Sequence, residues 1–199
     1  MSDDIRHKQV GLPHEFRGRL MIGSEKARRL ADSSVDRLCP NCGLCCNGVL
    51  FADVELRKND DANKLSALGL VIGKKGLSKR AFAQPCSCYD GKLCAIYADR
   101  PKHCRAFECG LLKRVDAGEL KAGAALKTIA RAKTMAEKVR VLLRQAGENH
   151  EQLALLTRYS MAMSAPIDLT DSGDASEKRG KLMLAVGQLM ELLQRDFLH

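Results

Sequence analysis

Apolar residues recur at helical spacing through the C-terminal half of this 199-residue chain and break into short runs before it. From Glu119 to Arg144, the positions Ala125, Ile129, Ala132, Ala136, Val139 and Leu143 step alternately by four and three. That rhythm predicts one long amphipathic helix. Lys127, Arg131 and Lys138 lie on one flank of its stripe and Lys133, Arg140 and Arg144 on the other. A second helix is expected over Glu151–Met163 and a third over Glu177–Arg195. Between them, residues 165–176 are rich in Pro, Asp, Ser and Gly and read as a linker. Its Asp168, Asp171 and Asp174 read as solvating residues, because the glycine and terminal glutamate of a calcium loop are missing.

The N-terminal half is patterned in smaller pieces. Ser24–Leu38 reads as a helix with Ser24 as N-cap, delivering the chain to Cys39. Val49–Leu56 is short, apolar and partly β-branched, which predicts an extended segment after the Asn47-Gly48 turn. Asp60–Leu68 reads as a helix stopped by Gly69. The Asp90-Gly91 pair signals a tight hairpin that brings Cys86 back toward Cys94. Pro101 starts a helix expected to end near Gly110, with Cys104 in its first turn, where the positive end of the helix dipole favours a thiolate. Cys109 is five residues further, about 140° around an ideal helix, so it shares a metal with Cys104 only if the helix frays first.

These elements predict a mainly α chain with a small, irregular α+β cysteine-rich core and a C-terminal helical extension. The expected divisions are an N-terminal segment (1–38), a metal-binding domain (39–112) and the extension (113–199). Composition narrows the class further. Nowhere do eighteen apolar residues follow one another, and Met1-Ser2-Asp3-Asp4-Ile5-Arg6-His7-Lys8 has no apolar run behind it, so a soluble, cytoplasmic protein with no membrane contact is expected. The net charge of +9 is spread as +2 over residues 1–38, +4 over 39–110 and +3 over 111–199. An even spread of that kind fits compensation of a negative cluster better than a nucleic-acid footprint.

The chemistry lies in the nine cysteines. Cys39, Cys42, Cys45 and Cys46 fall within eight residues, and Cys86, Cys88, Cys94, Cys104 and Cys109 within twenty-four. An odd number in a reducing compartment argues for metal ligation over disulfides. Short loops let several thiolates meet one soft ion at about 2.3 Å. Cys39, Cys42 and Cys45 reproduce the C-x2-C-x2-C spacing that gives three thiolates to a cubane iron-sulfur cluster, with a fourth from elsewhere. Two tetrahedral zinc sites, each drawing two thiolates from each group, fit the count equally. Adjacent side chains in extended geometry point apart, so Cys45 and Cys46 serve different metals or one is spare. Guanidinium groups at Arg100 and Arg105 would offset thiolate charge and hydrogen-bond to sulfur. Tyr97 and Phe107 read as core residues, and His103 reads as a bystander next to Cys104. Phosphate-binding loops, nucleophile elbows and the zinc-deaminase pattern are all missing from the sequence.

Cys39-x2-Cys42-Gly43-x-Cys45-Cys46, then Cys86-x7-Cys94-Ala95-Ile96-Tyr97 and Arg100-Pro101-x2-Cys104-Arg105-x-Phe107-x-Cys109, resembles the CxxCxxCC cysteine-cluster family, the YkgJ-like proteins described as zinc- or iron-chelating. The resemblance covers residues 39 to about 112. It implies Cys39, Cys42, Cys45, Cys46, Cys86, Cys94, Cys104 and Cys109 as ligands, with Arg100 and Arg105 beside them. Cys88 stands where the family has another residue and is an extra candidate ligand. A flagellin lysine N-methylase shares the cysteine motif alone.

Three functions therefore compete. In the first, the chain holds zinc or iron, with a [4Fe-4S] cluster favoured by the first cysteine run, in a redox or metal-handling role. In the second, a structural zinc module presents the basic helix to a protein partner or, less favoured, to nucleic acid. In the third, the chain is a cluster-dependent, methylase-like enzyme. No general acid, base or nucleophile is identifiable to carry that chemistry.

Overall fold

A helix that ends in cysteines opens the described part of this computed structural model, which covers residues 34–166 and 174–198. Helix α1 (Ser34–Cys42) is helical from the first described residue and runs through Cys39 and Pro40 to Cys42. The expected helical residues 24–33, like the middle of the 165–176 linker with Asp168 and Asp171, lie outside the described residues. Carrying the helix past Cys39 puts Cys39 and Cys42 three positions apart on one helical face, so their side chains converge. Gly43, at φ +70°, ends the helix in a conformation that a side chain resists.

The middle of the chain is a small sheet with short helices around it. Strand β1 (Asp53–Glu55) is followed by α2 (Ala62–Ala67), β2 (Gly73–Lys75) and β3 (Lys79–Ala83). The strands lie in the order β1-β3-β2, antiparallel, with Val54 opposite Phe82 and Lys74 opposite Arg80. Helix α2 is capped by the Asp61 carboxylate, which accepts from the Asn63 and Lys64 backbone N–H groups at 3.1 and 3.0 Å. Gly69 follows its end, as expected. Strands β2 and β3 were not expected: every residue of β2 is exposed, and only Ala81 and Phe82 of β3 are buried. Cross-strand charge identifies them instead, with Lys75 on Asp53 at 2.6 Å and Lys79 on Glu55 at 2.9 Å.

After a single 3-10 turn (Tyr97–Asp99) comes α3 (Lys102–Ala106), shorter than the expected helix to Gly110. Phe107 is extended, at ψ 120°, and Cys109 sits in the N-cap position of a separate helix, α4 (Gly110–Asp116). Then follow α5 (Ala122–Gln145), α6 (Leu155–Ser164) and α7 (Asp174–Asp196). All six stripe residues read from the sequence are buried on α5. Its alanines at 125, 132 and 136 are wholly inaccessible, which lets α1 and α7 pack closely against it. Helix α6 begins four residues after the expected Glu151, because residues 148–153 form turns around a buried ion pair. The Glu148 carboxylate there meets Arg158 Nε at 2.5 Å and accepts from the His150 N–H at 2.8 Å.

The apolar side chains form two clusters. The larger gathers Leu38, Leu44 and Val49 with the buried faces of α4, α5, α6 and α7. The smaller holds Leu65, Leu70, Phe82, Cys88 and Ile96 beneath the sheet. Residues from Ser34 onward form one unit, mainly helical with the small sheet at one part of it, in agreement with the expected class.

Candidate metal centre

The two clusters sort the cysteines. Cys42 and Cys109 pack against the larger, helical cluster, whereas Cys86, Cys94 and Cys104 pack against the smaller one. The electrostatic environment sorts them the same way. Burial pushes the Cys42 thiol up to about 12, reinforced by the sulfurs of Cys109 and Cys39 and opposed by the Leu44 N–H and the Lys133 ammonium. Burial drives Cys45 well above its ordinary value too, with Cys42, Cys46, Cys109 and Cys39 around it. Cys46 rises to about 12 through burial and then through a different set, Cys86, Cys94 and Cys104, with Arg100 opposing. Cys104, at about 11, answers to burial and then to Cys86 and Cys94. One neighbourhood therefore holds Cys39, Cys42, Cys45 and Cys109, and the other Cys46, Cys86, Cys94 and Cys104, with Cys88 hydrogen-bonded to Cys86 and felt at Cys94.

Local backbone explains the split. Cys45 and Cys46 are not extended, as the sequence reading assumed, but lie in a tight turn in which Cys46 and Asn47 both donate to the Gly43 carbonyl, at 2.9 and 3.0 Å. The turn aims the two sulfurs into different neighbourhoods. The Cys86 N–H donates to the Cys46 carbonyl at 2.8 Å, fastening the second cysteine segment to the first. The Asp90-Gly91 turn closes as expected, with Asp90 N–H on Leu93 O at 3.2 Å and a bridge between Tyr89 and Cys94. Gly43 is also needed for space: a Cβ there would fall 2.0 Å from the Tyr89 hydroxyl, which donates to Gly91 O at 2.8 Å.

Two expectations change in detail. Helix α3 is a single turn of five residues, so its dipole does not prevail at Cys104 and burial does. Cys104 and Cys109 part company at Phe107, each joining a different neighbourhood. With Cys88 set aside, each neighbourhood draws three thiols from one cysteine run and one from the other.

The remaining candidates are dispersed. Arg100 stacks over the Tyr97 ring, 3.6 Å from its centroid, donates to Tyr97 O at 3.0 Å, and its charge is felt at Cys46, Cys94 and Cys104. Arg105 is exposed, and its charge is felt at Lys64. Cys88 is buried, with its thiol 3.8 Å from Leu68 O. Tyr97 is partly exposed under Arg100, and Phe107 meets Phe51 edge-on at 4.9 Å. The His103 ring is tied to Glu55 O at 2.8 Å. Sequence reading missed Lys133 as a neighbour of the thiols, since nothing in the spacing places α5 beside α1. It also missed Gln84, whose buried amide oxygen, two residues before Cys86, finds no donor among the described residues.

On α5 the two basic flanks differ. Arg140 and Arg144 pair with Glu137, Arg144 also pairs with Glu151, and Lys133 donates to Asn41 O. Lys127, Arg131 and Lys138 are exposed with no ion pair among the described residues. No described helix is long and apolar enough to cross a membrane.

Among the described residues, no three of these side chains already surround one point at ion-holding distances. The donor chemistry nevertheless suits a soft cation. Thiols that burial holds protonated at neutral pH become ligands when a divalent ion supplies the compensating charge. Thiol-rich neighbourhoods of this kind define a metal-binding domain. Residues 38–134 match the model of the CxxCxxCC family, described as a putative zinc- or iron-chelating domain. The match runs from the middle of α1 into the middle of α5. No curated protein and no solved structure matches the chain.

Proposed function

We propose that this protein carries two metal centres of four thiolates each, holding zinc or iron. Cys39, Cys42, Cys45 and Cys109 form the first, and Cys46, Cys86, Cys94 and Cys104 the second. The observation that supports the reading is that Cys45 and Cys46, adjacent in the chain, answer to different thiols: Cys42, Cys109 and Cys39 act on the first, and Cys86, Cys94 and Cys104 on the second. Four thiolates satisfy either one tetrahedral zinc ion or one cubane cluster. The C-x2-C-x2-C spacing of the first centre, completed by a remote Cys109, favours iron-sulfur there, and with it an electron-transfer or metal-handling role. When bound, iron supplies one-electron chemistry and zinc a structural anchor.

The chain's own residues have separable parts. The Gly43 turn directs Cys45 and Cys46 to different centres. Arg100, fixed by Tyr97, places a cation beside the second centre. Cys88 serves as a small apolar core residue under that centre and stays out of the ligand set. Elemental analysis with a visible spectrum, on protein purified without oxygen, tests the assignment. Two zinc ions or roughly four irons per cubane, as such clusters require, support it. A chain that binds neither zinc nor iron refutes it.

A further inference from the structure

We infer that Lys133, on the long helix α5, is the charge partner of the first centre, a role that Arg100 fills for the second. This rests on the two-centre reading and adds to it a residue far from the cysteine motif.

Helix α1 ends where the first centre begins. Its last turn contains Cys39 and Cys42, and the last carbonyls of a helix have no intrahelical donors and carry partial negative charge. Thiolates gathered at that end are disfavoured by the helix itself. A basic residue in the last turn is the usual remedy, and α1 has none. Lys133 provides one from another helix: its Nζ donates to the Asn41 carbonyl at 3.3 Å, between Cys39 and Cys42 in sequence. The α1–α5 packing that brings it there is fixed by the buried stripe, with Ala132 and Ala136 on either side of Lys133 wholly inaccessible. Its charge is felt at Cys42.

Arg100 is felt at Cys46, Cys94 and Cys104. Four thiolates around one divalent ion leave an excess of negative charge, and a nearby ammonium or guanidinium stabilises that loaded state relative to the empty one. The two cations thus act on different centres, one through α5 and one through the Tyr97 turn.

The test is release of the native metal from the loaded full-length chain to a chromophoric chelator, followed in time. Wild type is expected to release in two phases, one per centre. Lys133→Met is expected to speed one phase about ten-fold, the low end of what loss of an outer partner does to metal affinity, and to leave the other unchanged. Lys133→Arg restores the wild-type rate, and Arg100→Met speeds the opposite phase. High salt, which screens the exposed Lys133 ammonium more than the half-buried Arg100 guanidinium, is expected to speed one wild-type phase and leave the other nearly unchanged; this readout needs no variant. Equal effects of Lys133→Met on both phases, or none on either, overturn the inference while leaving the two centres standing. A wild-type chain with fewer than two centres overturns the reading beneath it as well.

Discussion

Replacing Arg158 with Met probes the support behind the cysteine turn. Arg158 and Glu148 are 2% and 5% exposed at their side chains and form an ion pair at 2.5 Å. Arg158 Nη2 also donates to the Glu148 carbonyl at 3.1 Å. The pair holds the 148–153 turns in place, and just beyond them the Leu155 N–H donates to Gly48 O at 2.8 Å, clasping the chain two residues after Cys46. Methionine fills similar space but leaves a buried carboxylate without its cation, which costs about 3–5 kcal/mol. At about 3 °C per kcal/mol for a chain of this size, the melting temperature falls by roughly 12 °C. Replacing both residues, as Glu148→Leu with Arg158→Met, is expected to cost less than Arg158→Met alone, because no unpaired charge is left behind.

The same pair has a pH signature. Burial pushes the Glu148 carboxyl up, but the Arg158 guanidinium and the His150 N–H and ring outweigh it and hold the group below its ordinary 4.5. A lowered carboxyl stabilises the fold above 4.5, and that contribution is lost as the pH falls through the folded value. The deficit of Arg158→Met relative to wild type is therefore expected to narrow in acid. Denaturant unfolding at pH 7 and below pH 4.5, with variant and wild type compared at equal metal content at each pH, measures both effects. A cost under about 1 kcal/mol, the size of an exposed pair, or a deficit that does not narrow in acid, refutes the argument.

Gly43→Ala is expected to destabilise by about 2 kcal/mol or more, since it combines a left-handed backbone with a Cβ 2.0 Å from the Tyr89 hydroxyl. Adding Tyr89→Ala relieves the clash but not the backbone strain, so unfolding midpoints should recover only in part; full recovery would show that φ contributes nothing. Ala132→Leu, at a wholly buried contact of α5, is expected to cost about 1–3 kcal/mol by overpacking. A thermal midpoint equal to wild type would mean that the helices are not closely packed there.

What the sequence disclosed follows from the range of the forces involved. The α5 stripe was legible to the residue because one periodic signal, six positions long, outweighs everything local. Helix α2 and the Asp90-Gly91 turn were legible because their determinants lie within four residues. Strands β2 and β3 were not, since Gly73-Lys74-Lys75 has no apolar face and is held by carboxylates about twenty residues earlier. The two cysteine runs were visible from spacing and the family resemblance picked out eight of the nine thiols, yet which thiols become neighbours was not legible: that depends on a turn at Gly43 and on a break at Phe107 that separates Cys104 from Cys109. Lys133 and the Glu148–Arg158 pair were hidden for the same reason, because their partners become neighbours only when helices pack.

The division of the thiols is tested most directly by counting metal in single-cysteine variants. Full-length wild type, Cys42→Ser, Cys46→Ser and Cys88→Ser are purified without oxygen and their zinc and iron are measured per chain. The two-centre account expects Cys42→Ser and Cys46→Ser each to lose one centre and keep the other, with Cys88→Ser retaining both. Loss of all metal in either of the first two, or loss of a centre in Cys88→Ser, would contradict it.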